Sequence, residues 1–139
     1  MKKVATYLFF NGNCAEAMRF YEGVLGGNLF SMKAKESPDA AKFPPDRGDW
    51  LLHAKLESGG IVLMASDWMH PGPYPGMNGF AVTLEVPTAG DAKTLFDKLA
   101  AGGQVTMPFT KTFYSDGFGM LVDRFGTPWM VMAQTNTQG

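Results

Sequence analysis

The sequence predicts an α+β chain built from two copies of one module, a strand, a helix and then three strands (βαβββ). Three observations lead there. Ala17, Phe20, Tyr21 and Val24 follow the spacing i, i+3, i+4, i+7 of a helix face, and Ala92, Leu95, Phe96 and Leu99 repeat it 75 positions later. Each stripe runs into a glycine pair, Gly26-Gly27 and Gly102-Gly103, which terminates a helix. Around both helices lie short β-branched and aromatic runs broken by Gly, Pro, Asn and Asp, the pattern of strands and turns.

The elements follow in order. "VATYLFF" reads as the first strand, "NGN" as a turn in which Asn13 is placed to cap the next helix, and Cys14 to Leu25 as that helix. "NLFSMKAK" is the second strand and "ESPDAAKFPPDRGD" a loop. "WLLHAKLE" and "IVLMASD" flank "SGG" as a hairpin. "WMHPGPYPGMN", with three prolines and two glycines, is the linker. The second pass begins with "GFAVTLEV", whose apolar and polar residues alternate. A helix over about Ala89 to Ala101 follows, then the strand "QVTMPF", the loop "TKTFYSD", and a closing hairpin from "FGMLVDR" and "PWMVMAQ". "TNTQG" reads as a frayed tail. One domain over 1–139 is expected, with module one at about 1–68, the linker at 69–78 and module two at about 79–135.

Composition narrows the function. The formal charge of −1, without a basic run, gives no electrostatic support for nucleic-acid or anionic-membrane binding. No apolar stretch reaches the roughly 18 residues of a membrane span. The single cysteine, Cys14, excludes an internal disulfide and fits a cytoplasmic protein. Ten Met and eighteen aromatic residues make a soft, wide apolar interior. The nucleophile elbow, the P-loop and the dinucleotide glycine fingerprint are all missing from the sequence.

The segments "YLFFNGNCAEAMRFYEGVLGG", "HAKLESGGIVLMASD" and "GGQVTMPFTKTFYSDGFGMLVDRFGTPWMV" together resemble the vicinal oxygen chelate superfamily of glyoxalase I, bleomycin-resistance proteins and extradiol dioxygenases, and most closely its PhnB-like branch. The resemblance implies that each module curls its mixed sheet into half of a cup, a half-barrel with the helix outside. It further implies a cleft, usually within a homodimer. Some PhnB-like sequences carry a demethylubiquinone methyltransferase label. This chain has no glycine-rich strand-to-helix turn for a nucleotide-like cofactor, so no methyltransferase activity and no cofactor are expected.

Alternation in "GFAVTLEV" puts Phe80, Val82, Leu84 and Val86 on one face and Ala81, Thr83 and Glu85 on the other. The oily face should meet the helix. The 75-residue repeat maps Ala81 onto Thr6, so Thr6, Leu8 and Phe10 are expected in the cleft. The resemblance adds Val62, Met64 and Ser66, then Pro128, Met130 and Met132, with Trp129 and Val131 in the core.

Metal-using members of the superfamily hold a His, Gln or Glu on each of four cup strands. Motif alignment puts those positions at Thr6, Val62, Ala81 and Met130, none of them an ordinary ligand, so no metal is expected. The chain has only two histidines. His53 reads either as a strand histidine bonded to a backbone carbonyl or as a cleft histidine that moves a proton. His70, before Pro71, reads as solvent-exposed. Ser66 and Asp67 are either polar anchors for a ligand or, for Asp67, a strand stop and turn cap. Glu85 is a strand-end carboxylate or an inward acid. Phe113 and Tyr114 fold over a ligand or pack at an interface, with Gly117 and Gly119 keeping the nearby backbone open. Cys14 at a helix start is either structural or lowered in pKa.

Three readings follow. The first is a metal-free binder of a small, partly apolar molecule, with Leu8, Phe10, Met64, Ser66, Phe113, Tyr114, Met120, Met130 and Met132 as candidate ligand-binding residues. The second is a glyoxalase-like lyase or isomerase acting on a small carbonyl or enol substrate by acid–base chemistry from His53, Asp67, Glu85 or Tyr114. The third is a dimeric interaction module without chemistry.

Overall fold

A computed structural model describes residues 2–134; the expected tail at 135–139 lies outside the described residues. The chain separates into two compact units, Met1–Gly76 and Met77–Gly139, each with one four-stranded mixed sheet and one long helix.

The first unit contains β1 (Thr6–Phe10), α1 (Cys14–Leu25), β2 (Asn28–Lys33), β3 (Leu51–Ser58) and β4 (Ile61–Asp67), with three short 3-10 turns between β2 and β3. Its strands lie in the order β1-β4-β3-β2, with β1 parallel to β4 and the other neighbours antiparallel. The second unit repeats this with β5 (Val82–Val86), α2 (Ala89–Ala100), β6 (Gln104–Thr110), β7 (Phe118–Val122) and β8 (Pro128–Ala133), in the order β5-β8-β7-β6. Neither sheet closes on itself. The outer strands of each are the one before the helix and the one after it.

In both units the helix covers one sheet face and supplies the core. Cys14, Ala17, Met18 and Tyr21 of α1 are buried, and so are Leu8, Phe10, Ala54, Leu56, Leu63 and Ala65 of the sheet beneath. Ala92, Phe96 and Leu99 of α2 are buried with Leu84, Leu121, Trp129 and Val131. Burial of these side chains stabilises each unit by roughly 1.5–3 kcal/mol per large apolar residue.

The two helices are started differently. Thr88 caps α2, its Oγ1 accepting from the Asp91 N–H at 3.2 Å. Asn13 precedes α1 but makes no side-chain cap hydrogen bond. Its expected role passes to Asp67 at the end of β4, whose Oδ1 accepts from the backbone N–H of Cys14 at 3.0 Å and of Gly12 at 2.9 Å.

That turn also changes the repeat. Strand pairing makes Leu8, opposite Ala65, the counterpart of Leu84, opposite Val131. The helices repeat at 75 positions but the first strands at 76, because three residues join β1 to α1 and only two join β5 to α2. Gly12 takes the additional place, at φ +92°, beneath the Trp50 ring.

Candidate functional site

A one-residue slip in a strand turns every side chain to the opposite face. Leu8 and Phe10 are therefore corrected: both are buried on the α1 side, and Phe10 packs 6.5 Å from the Tyr21 ring. Tyr7 and Phe9 take their place on the helix-free face, in register with Met64 and Ser66. His53 and Lys55 of β3 share that face, since their neighbours Ala54 and Leu56 pair with Ala65 and Leu63 of the core.

Tyr7 and His53 meet on this surface. Tyr7 Oη lies 3.1 Å from His53 Nδ1, and the rings stack at 5.7 Å with a 27° tilt. The strand between them, β4, carries Met64 and the nearly buried Ser66. Burial pushes the Tyr7 phenol above its ordinary range, partly opposed by a hydrogen bond with the Ser66 side chain. The His53 partner is thus a phenol rather than the backbone carbonyl that a purely structural strand histidine would use.

Rings extend the wall away from this pair. Phe9 lies 5.1 Å from Tyr7 and meets Trp68 edge-on at 5.5 Å, and Trp68 contacts both His70 at 4.7 Å and Tyr74 at 6.3 Å. Tyr74 Oη donates to the Phe9 carbonyl at 2.6 Å, which ties the middle of the linker to β1. The Trp68 indole nitrogen is buried and has no acceptor among the described residues. His70 is exposed.

Asp67 is placed elsewhere. It is 1% exposed and spends its carboxylate on three backbone N–H groups, those of Gly12, Cys14 and, at 2.8 Å, Leu51. Burial raises its carboxyl above the ordinary range, the three donors notwithstanding. Asp67 is a structural clasp between β4, β3 and the start of α1, not a neighbour of Ser66 on the helix-free face. Cys14 beside it is fully buried. Burial, reinforced by the Asp67 charge, pushes its thiol up, so the helix-start lowering does not occur.

In the second unit, Thr83 and Glu85 lie on the helix-free face and are exposed. Met130 and Met132 pair in register with them, and Met120 and Phe118 of β7 stand opposite these methionines. Thr83 Oγ1 is 3.9 Å from Met130 Sδ. Tyr114 packs edge-on against Phe118 at 5.9 Å and against Phe113 at 5.0 Å, while Phe113 is 100% exposed. Gly119 does not open space for a ligand: a Cβ there would stand 2.6 Å from the Phe96 ring of α2. A Cβ on Gly117 would run into Phe109.

The sequence reading missed Tyr7, Phe9, Trp68 and Tyr74. In "VATYLFF" both alternating sets are apolar, so alternation by itself cannot choose a face. The usable signal was the phenol: a Tyr among Leu and Phe prefers the side where its oxygen finds a partner.

Comparison with known proteins defines the class. The family model of the Glyoxalase/Bleomycin resistance protein/Dioxygenase superfamily matches residues 3–131, and the chain belongs to that superfamily. Protein YjdN of Escherichia coli (strain K12) is 34% identical over 137 residues, 92% of each chain. The crystal structure of protein PA1353 from Pseudomonas aeruginosa is 44% identical, covers 96% of this chain and 98% of its own, and superposes with a TM-score of 0.87. The PhnB protein from Bacillus cereus shares the fold at a TM-score of 0.74 and 23% identity, over 95% and 99% of the two chains.

Membership implies a divalent-metal site in the superfamily's metalloenzymes, and the side chains here do not fit one. The register turns Thr6 to the helix side and brings Tyr7 to the helix-free face beside Val62 and Met64, while Thr83 and Met130 hold the matching places in the second unit. Phenol, hydroxyl and thioether groups lack the deprotonated donors that such an ion needs. Among the described residues no three His, Cys, Asp or Glu side chains gather as a metal-holding group. No helix among them is long and apolar enough to cross a membrane.

Proposed function

We propose that this member of the glyoxalase superfamily binds a small, partly apolar molecule through the helix-free face of its first sheet. The observation that carries the reading is the Tyr7–His53 hydrogen bond, set beside Ser66 at the end of a wall made by Phe9, Met64 and Trp68. Polar groups held in place beside apolar surface are what orient a small ligand. On the second sheet, Met120, Met130 and Met132 offer an adaptable thioether surface of the same character.

A thermal-shift screen with phenylglyoxylate, acetylacetone and salicylate as probes tests this. A probe at a hundred times its dissociation constant adds about 2.7 kcal/mol to stability. The gain should vanish in Tyr7→Phe and His53→Ala. No shift with any probe, or a shift that survives both substitutions, overturns the reading.

The same hydrogen bond favours a second reading, a glyoxalase-like isomerase or lyase acting on a carbonyl or enol. With His53 donating from Nδ1 to Tyr7 Oη, the Tyr7 hydroxyl hydrogen is free to bond a substrate oxygen. The lone pair on His53 Nε2 is then free to take a carbon-bound proton. Solvent deuterium entering the hemithioacetal of methylglyoxal and glutathione, and its loss in His53→Gln, would support this; no incorporation by the parent chain would remove it. We also propose a cytoplasmic homodimer, supported by the superfamily resemblance and the single buried thiol, with sedimentation equilibrium as the check on the dimer.

A further inference from the structure

We propose that a cleft in the first unit, apart from the Tyr7–His53 pair, binds an oxyanion of the phosphate or carboxylate class. The cleft encloses about 380 Å³ and is lined by Lys42, Pro44, Arg47, Met69, His70, Pro71 and Gly72. Three of these seven residues can carry positive charge and none can carry negative charge. The whole chain is nearly neutral at −1, so this clustering is local and does not reflect a basic protein.

Arg47 is already positioned. Its Nη1 donates to the Trp68 carbonyl at 3.1 Å, and its guanidinium lies 4.4 Å over the Trp50 ring. Among the described residues no carboxylate comes within ion-pair distance of it. One donor is thus spent on holding the side chain still and others remain for an anion, the arrangement that makes arginine selective for planar and tetrahedral oxyanions. Lys42 is paired with Asp39 at 3.4 Å, but both side chains are largely exposed. Such a surface pair contributes little, so it is easily exchanged for an anion. His70 is braced by Trp68 and Phe9. Pro44 and Pro71 stiffen the walls, and Gly72, at φ +92°, has open space around its α-carbon.

The test uses the full chain and the two histidine Cε1–H resonances, assigned by His70→Gln. Sodium phosphate, sodium acetate and sodium chloride are titrated at fixed pH and ionic strength. Phosphate should move the His70 resonance saturably while leaving that of His53 in place, and Lys42→Glu should weaken the effect at least fivefold. Saturation by phosphate alone assigns a phosphoryl group, and saturation by acetate as well extends the site to carboxylates. Arg47→Gln, checked by circular dichroism, should abolish saturation. A His70 response equal in chloride, or unchanged in Lys42→Glu, overturns the proposal.

Discussion

The Tyr7 phenol on β1 reaches the His53 imidazole on β3 at 3.1 Å, across the strand that lies between them. Side chains two strands apart meet only when both are long and share a face, so this contact fixes the face as well as the pair. The phenol is raised by burial, and Tyr74 is raised too, by burial and by the charge of Asp67. A folded-state value above the ordinary phenol range means that the folded chain keeps protons that the unfolded chain gives up. The associated stability is intact below pH 10 and is lost as the pH rises through the folded values. Urea unfolding from pH 8 to 11 should show this fall, and it should shrink in Tyr7→Phe/Tyr74→Phe. An unchanged slope in the double variant would show that neither phenol is held neutral.

Asp67 illustrates a carboxylate whose work is done inside the fold. Three backbone N–H groups, from the turn after β1, the first residue of α1 and the first residue of β3, end on it, and Asn13 leaves the helix start uncapped by its own side chain. Removing the carboxylate leaves these donors buried without an acceptor, each costing on the order of 1 kcal/mol or more. Asp67→Ala should therefore lose roughly 3 kcal/mol of unfolding free energy in urea. Asn13→Ala should stay within about 0.5 kcal/mol of the parent, since no side-chain cap is lost.

Trp68 presents the opposite case, a buried donor with nothing to donate to among the described residues. Truncating a large aromatic normally costs several kcal/mol, but here the substitution also removes an unsatisfied N–H. Trp68→Phe keeps the ring contacts with Phe9 and Tyr74 and should change stability by less than about 1 kcal/mol. A loss well above about 1 kcal/mol in urea would show that the indole N–H is satisfied in the folded chain.

The repeat of helix stripes, the glycine stops and the hairpins were all readable because they depend on local backbone chemistry and on period. The α2 face came from helical spacing, and the helix-free positions of Thr83 and Glu85 came from alternation in which only one set of residues was polar, whereas the burial of Trp129 and Val131 was expected from the superfamily resemblance. The first strand failed that test. Tyr7, Leu8, Phe9 and Phe10 are all apolar enough to sit on either side, and the one-residue difference in the following turn carried the wrong face over from the second module. Asp67 and Ser66 are adjacent in sequence, yet a strand turns them to opposite faces; treating them as a pair of anchors ignored that geometry. The Tyr7–His53 contact spans 46 residues and depends on strand order, which composition does not encode.

Gly119 tests how tightly the second unit is packed. It lies on β7 opposite Val131, facing α2, and an added Cβ would stand 2.6 Å from the Phe96 ring and 3.0 Å from the Phe109 Cα. Its φ is not in the left-handed region, so backbone conformation does not forbid alanine there; the neighbours do. Overpacking of this kind costs about 1–3 kcal/mol. Gly119→Ala should lose that amount, and Phe96→Leu by itself should cost about 1 kcal/mol through lost packing. Combined, the two should be less destabilising than their sum by at least about 1 kcal/mol, because the shorter side chain vacates the space that the new methyl needs. Urea unfolding of the four proteins closes the cycle. Strict additivity would mean that the backbone of β7, and not the Phe96 ring, yields to the methyl group.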